Sequence, residues 1–329
     1  MITSQGRERR EILRFIAAAA ALALAPAAPA QDYPHRQAVK IVVPFTPGSS
    51  SDTVTRLMAD ELRKLMGASF IVENRPGAGG MVGTAAVARS PADGYTLLLT
   101  SQSTHGLAPW MFKNVSYDAV KDFAHIAKWV EAPFLLAVRP ALPTKDLREF
   151  VAHARANPGK LSYGYGTSSA RLAASMLNLM AGSETLGVPY KSQPPALTDL
   201  VAGRIDYIIV DVLAGSPYVA SGQLRAVAVT SKTRFENMPQ LPTVAESGYP
   251  EYEYATWLGA AAPAGTPRAA VDRLSEAMRE ILVKPELRRR LVAMGMNVVP
   301  TSAAEHQAFV QVELEKWGKR IRAMGIQPE

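Results

Sequence analysis

The chain has 329 residues, a formal net charge of +7, no cysteine and five scattered histidines. The missing thiols exclude disulfides, thiolate metal sites and a cysteine nucleophile, and the histidines show no ligand spacing, so no metal is expected. Lys and Arg are dispersed rather than gathered in a stripe with aromatics, which argues against nucleic acid as a partner, and the length suits two domains.

In chain order, the first thirty residues do not read as part of the fold. Arg7, Arg9, Arg10 and Arg14 form a basic opening, and Phe15 to Ala25 is apolar but too short to span a bilayer. Ala28-Pro29-Ala30 places small residues at a cleavage position. Residues 1–30 are therefore expected to be a signal peptide, with a mature chain starting at Gln31 and exported to the periplasm. Arg9-Arg10-Glu11-Ile12-Leu13-Arg14 resembles a twin-arginine export motif, with Sec export as the plainer alternative. The leader holds four Arg and two Glu, so the remaining 299 residues carry +5 and are only mildly basic. No later segment is apolar for long enough to cross a membrane.

The organising unit is Val39 to Asp52. Val39, Ile41, Val42, Val43 and Phe45 read as a buried strand ended by Pro44, Pro47 and Gly48. Ser49, Ser50, Ser51 and Asp52 are suitable N-caps for a helix in which Leu57, Met58, Leu62 and Leu65 recur at helical spacing. Unpaired N–H groups at such a helix start can hold an anion. The device repeats. Ser69 to Glu73 is a strand, 74–80 a glycine-rich loop, Met81 to Arg89 a helix, Tyr95 to Thr100 a strand and Ser101 to Gly106 a polar loop at its carboxyl end.

A second set begins near Pro133, with strands at 134–138, 161–164, 185–188, 206–210 and 224–230. Helices lie at 144–156, after Gly166-Thr167-Ser168-Ser169-Ala170, and at 194–201. The alternation argues for an α/β fold with a mostly parallel sheet covered by helices on both faces and ligand loops at the strands' carboxyl ends. Tyr254 to Ala261 is extended, and three helices close the chain, the last stepped by Val310, Leu314, Trp317, Ile321 and Met324. The simplest topology makes 31–131 with 253–329 one lobe and 132–252 a second, inserted lobe, joined by a two-crossover hinge that clamps a small molecule.

These residues carry a family resemblance. Val-Pro-Phe-Thr-Pro-Gly-Ser-Ser-Ser-Asp (43–52), Val-Glu-Asn-Arg-Pro-Gly-Ala-Gly-Gly (72–80), Pro-Ala-Asp-Gly-Tyr-Thr-Leu-Leu (91–98), Val-Pro-Tyr-Lys (188–191) and Leu-Pro-Thr-Val-Ala-Glu (241–246) are similar to the Bug-type solute-binding proteins of tripartite tricarboxylate transporters. The resemblance covers essentially all of 33–329. It implies a class II periplasmic-binding-protein fold that closes on a carboxylated ligand (a di- or tricarboxylate, amino acid or aromatic acid) and delivers it to membrane permease subunits. It also implies site loops at Thr46, Gly48, Ser49, Ser50 and Asp52, at Gly79 and Gly80, and at Ser101, Ser103 and His105. In the second lobe they fall at Thr167, Ser168 and Ser169, at Tyr190 and Lys191, and at Asp211. Convergent donors of this kind offset the cost of desolvating a carboxylate.

The chain also departs from the family pattern, with Ser49 for a glycine, Ala170-Arg171 for Gly-His, Ser192-Gln193 for Gly-Gly and Ala108 for an asparagine. Arg171 would favour a second acidic group on the ligand if it reached the pocket; its alternative is the solvent face of its helix. Asp211 doubles as an N-cap candidate, Lys191 as a solvated lysine, His105 as a structural hydrogen-bonding residue, and Trp257 and Trp317 as core. A serine hydrolase would use Ser168 with Asp211 and His306, but the elbow's second glycine is Ala170 and no oxyanion loop precedes it. Gly77 to Gly83 does not match the dinucleotide fingerprint and no phosphate-binding Gly-Lys-Ser/Thr exists, so neither an enzyme nor a cofactor is expected. The competing binding role is a sensory subunit that presents its closed form to a membrane receptor kinase. A monomer is expected.

Overall fold

The computed structural model describes residues 33–328. The signal-peptide reading of 1–30 lies outside the described residues. No helix among them is long and apolar enough to cross a membrane.

Val39–Val43 (β1) runs into Ser50–Met66 (α1). Strand geometry sends alternate side chains to opposite faces. Val39, Ile41 and Val43 therefore pack with Leu57, Met58 and Leu62 of α1, while Val42 meets Ala85 and Val87 of the helix Met81–Ala88 (α2) on the other face. The α1 N-terminus is capped by Ser49, whose Oγ accepts the Asp52 N–H at 3.3 Å. Ser49→Ala should lower stability by about 1 kcal/mol, read as a shifted urea midpoint at unchanged slope.

Phe70–Asn74 (β2) and Thr96–Ser101 (β3) flank β1 in parallel. The stretch expected as a polar loop after β3 is instead a π-helical turn, Gln102–Leu107, followed by the short helix Ala108–Met111 (α3). Ser101 and Thr104 cap its start reciprocally, which winds a run of small polar residues into a helix.

The longest strand is Phe123–Val138 (β4), sixteen residues. It begins eleven residues earlier than expected, because its period-two pattern is broken by register shifts near His125/Ala127 and Lys128/Val130. The second half of the chain supplies helices Leu147–Ala156 (α4), Ser168–Ala181 (α5), Gln193–Val201 (α6) and Val212–Ala220 (α7). It also supplies strands Ser162–Tyr165 (β5), Leu186–Pro189 (β6), Tyr207–Asp211 (β7) and Arg225–Val229 (β8). The return strand is Ala255–Pro263 (β9), and a two-residue strand, Asn297–Val298 (β10), pairs with β4.

Strand order is β2-β1-β3-β9-β4-β7-β5-β6, with β8 and β10 also on β4. The expected parallel arrangement holds within each half, for β1 with β2 and β3 and for β5 with β6 and β7. All pairings of β4 and β9 are antiparallel, because the chain passes out along one and back along the other. Pro133 is the last β4 residue paired with β9, opposite Ala255, and Phe134 is the first paired with β7, opposite Asp211. One strand thus runs through both α/β lobes.

The closing helices are Arg268–Val283 (α8), Pro285–Ala293 (α9) and Ala303–Ala323 (α10). Leu274, Met278 and Ile281 of α8 join α1 over the first lobe's sheet, whereas Trp317 and Ile321 of α10 fall in the buried cluster of Leu172 and Tyr207 in the second lobe. Ala303 at the start of α10 joins the first lobe's cluster, so the last helix braces both lobes.

Candidate functional site

Loops at the strands' carboxyl ends meet across the cleft between the lobes, joined by hydroxyl groups. The Thr46 and Ser192 hydroxyls bond to each other, and Ser50 Oγ donates to Asp211 Oδ1. Ser103 Oγ donates to Ser169 Oγ at 2.9 Å and accepts the Ser169 N–H at 3.2 Å. Each of these bonds runs from one lobe to the other, so the conformation is a closed one.

The contacts border a partly open cavity of about 50 Å³, room for a few water molecules at roughly 10–15 Å³ each and hence for a compact solute. Its polar wall comes from helix starts and strand ends: Ser50 and Ser51 of α1, Ser101 and Ser103 after β3, Thr167 and Ser169 at α5, Gln193 at α6 and Asp211 at β7. Its apolar wall includes Phe45, Phe134, Trp257, Leu258 and Met296. Among the described residues the wall contains no lysine, arginine or histidine. As first-turn residues, Ser50 and Ser51 have N–H groups without intrahelical partners. Trp257 Nε1 and Ser168 Oγ are buried without a hydrogen-bond partner among the described residues, a costly arrangement unless a ligand or water supplies one.

Asp211 caps α7 by accepting the Ala214 N–H at 3.0 Å on the same Oδ1 that takes Ser50, so the capping and cleft roles coincide. Burial raises its carboxyl above the ordinary range, against the lowering effect of the Ser50 hydroxyl and the Ala214 amide.

Of the residues implied by the family pattern, Ser50, Ser101, Ser103, Thr167, Ser169 and Asp211 line the cavity. Thr46 closes the cleft through Ser192. Gly79 brings its loop against the second lobe, since a Cβ there would lie 3.5 Å from Ser168 Oγ, whereas Gly80, at φ +100°, packs within the first lobe with its Cβ position 2.8 Å from Thr104 Cγ2. Ser49 faces its own helix as the cap. Asp52 accepts from Gly48 N–H at 2.9 Å, Arg56 Nε at 3.0 Å and Asn74 Nδ2 at 2.9 Å, which ties the loop to α1 and β2 away from the cavity. Burial pushes the Asp52 carboxyl up, but the Arg56 guanidinium, the Gly48 amide and Asn74 together hold it below the usual range.

His105 is fully buried, with Nδ1 2.9 Å from Thr104 Oγ1 and its ring beside Phe123 and His125, away from the cavity wall. The Tyr190 hydroxyl donates to Asp199 at 2.8 Å, and Lys191 is exposed. Arg171 directs Nη1 to the Met111 carbonyl at 3.4 Å and is not in the wall, so a preference for a second acid has no cation there to rest on.

Most of the apolar wall was not named as site from the sequence, and Gln193, Ser51 and Trp257 were noted there without being named as ligand-binding. Gln193 holds the cleft edge, accepting the Gly166 N–H at 3.1 Å and donating to the Ile209 carbonyl at 3.3 Å. Its place beside Pro194 at a helix start was the available signal. Ser51 follows a serine that was named. Trp257, expected as core, is buried but also forms cavity wall, because β9 passes behind the cleft; Trp317 is core as expected. Ser168, Asp211 and His306 do not form a triad: Ser168 Oγ has no partner among the described residues and His306 Nε2 lies 3.4 Å from Thr100 Oγ1.

Comparison with known proteins agrees with this geometry. The family model described as tripartite tricarboxylate transporter family receptor matches residues 54–326. BugT of Bordetella pertussis is 33% identical over 301 residues, spanning 90% of this chain and 91% of that protein. Among solved structures, R. palustris Rpa4515 with adipate has a TM-score of 0.88 at 33% identity, covering 91% of this chain and all of that one. MatC from Rhodopseudomonas palustris with bound malate has a TM-score of 0.83 at 32% identity, covering 86% and 98%. The loops, the clamp and these relatives together assign the chain to the tripartite tricarboxylate transporter family receptors, Bug-type solute-binding proteins and not enzymes.

Proposed function

We propose that this protein works in the periplasm, captures a small carboxylated molecule between its lobes and presents the closed form to the permease of a tripartite tricarboxylate transporter. The observation that carries this reading is the inter-lobe cavity walled by hydroxyls and helix starts from both lobes, with buried donors that lack partners among the described residues. A carboxylate oxygen accepts from such N–H and O–H groups and exchanges its hydration for them. The relatives that hold adipate and malate support a carboxylate as ligand. We take 31–131 with 253–329 as one lobe and 132–252 as the other, with the hinge where β4 changes partners.

A thermal-shift series with mono-, di- and tricarboxylates, amino acids and aromatic acids tests the reading. A ligand at one hundred times its Kd should stabilise the protein by about 2.7 kcal/mol, seen as a raised Tm. A flat response to every acid would overturn it.

A further inference from the structure

Resting on the reading above, we infer that Met296 limits ligand length: it is the partition between the ligand cavity and a second, larger cavity at the hinge, and it stops a straight-chain acid from extending outward. Met296 stands in one buried cluster with Val130, Ala132 and Leu258, and all four line the ligand cavity. The second cavity, of about 310 Å³, is bordered by Pro133, Ser231, Phe235, Asn237 and Val292, and by Met296 again. Among the described residues Met296 is the one that the two walls share.

Backbone pairing explains why a single side chain can separate the two spaces. β10 pairs with β4 at Val130 and Glu131, and β7 joins β4 from Phe134, so Ala132 and Pro133 pair with neither. Gly295 lies beside this break: at φ +83° it makes the turn after α9, and a Cβ on it would stand 2.9 Å from Val212 Cγ1 at the start of α7. The Met296 N–H donates to the Leu291 carbonyl at 3.0 Å, which fixes the backbone and leaves the side chain to close the break. It is 3% exposed. A long unbranched side chain fills an irregular gap of this kind well. Truncation at Cβ would join the cavity of about 50 Å³ to the one of about 310 Å³. On the far side, Ser231 Oγ is buried without a hydrogen-bond partner among the described residues and can donate to the far end of an acid.

The test measures binding against chain length. Calorimetry at pH 7.5 compares straight-chain dicarboxylates of three to twelve carbons on the wild type, Met296→Ala and Met296→Leu. In the wild type, affinity should fall at least tenfold within about two carbons beyond the best acid. Met296→Ala should bind acids about four carbons longer within about threefold of that best affinity, whereas local enlargement of the cavity would add only one or two. Met296→Leu keeps the bulk of the side chain and should keep the wild-type limit. Met296→Val replaces the alanine variant if the latter lacks a cooperative urea transition. The same limit in the truncated protein, a gain of only one or two carbons, an equal gain in Met296→Leu, or no fall with length in the wild type would overturn this inference and leave the solute-binding reading standing. Absence of binding by every dicarboxylate would overturn it as well, and a flat response in the wider thermal-shift series would overturn both.

Discussion

Gly166→Ala should destabilise the protein by about 3 kcal/mol or more and abolish ligand-induced stabilisation. Gly166 lies between β5 and α5, where the backbone before α6 passes directly over it. A Cβ there would stand 2.0 Å from the Ser192 carbonyl carbon and 2.3 Å from its oxygen. Both are main-chain atoms, so no rotamer change relieves the clash. The backbone must move, and it carries the Ser192 hydroxyl that meets Thr46 and the Gln193 amide that holds the Gly166 N–H. Urea unfolding and the thermal shift with a bound carboxylate measure the two effects. A midpoint within about 0.5 kcal/mol of wild type would show that the two segments are not packed this closely.

Acidification from pH 6.5 toward 4 should unfold the first lobe by way of its buried histidines. His105, His125 and His306 lie in a row behind the cleft, with ring centroids 5.5 and 5.2 Å apart, and all are buried. His125 donates Nε2–H to the Ala119 carbonyl at 3.1 Å, and burial lowers its pKa to about 4. Burial, with the neighbouring imidazoles, also pushes His105 and His306 well below the ordinary value. Lys128 is the nearby cation; its ammonium lies over Phe309 and pairs with Glu131. Because these folded pKa values are depressed, the unfolded chain takes up protons first as pH falls below 6.5. Their contribution is full above that pH and is lost on the way down to the folded values, with about 3 kcal/mol lost through His125 alone. His125→Gln keeps a donor for Ala119 without titrating, and it should flatten the fall in Tm between pH 6.5 and 4. Equal slopes for the two proteins would overturn the assignment.

The first unit was legible from the sequence because every level agrees. Val39–Val43 alternates between two helix layers, Ser49 caps, and Gly67 ends α1 in the left-handed region. The family motifs located most of the loops that converge on the cavity. Less legible was the first half of β4, where Lys128 and Glu131 interrupt an apolar run and two register shifts displace the alternation. Gln102–Leu107 looked like a loop because Ser, Thr, His and Gly are weak helix formers, and reciprocal capping outweighs that tendency. Within the loops, motif position could not separate Asp52, held by Arg56 and Asn74, from Asp211, which borders the cavity. That difference depends on which long-range partner reaches each carboxylate, and such partners are set by the assembled fold.

Pro133 sits opposite Ala255, so the segment between them leaves and rejoins the sheet at neighbouring points. A stretch of chain whose two ends already touch behaves as a cassette. It can be lengthened, shortened or exchanged at the β4–β9 junction with little change in the geometry of the part that receives it. Part of the cavity wall, including Thr167, Ser169, Gln193 and Asp211, travels with that cassette. Descent from a common ancestor could therefore diversify what is carried while leaving the scaffold of β1, β2 and β3 intact, and chimaeras spliced at these two residues would be the natural currency for transplanting selectivity between relatives.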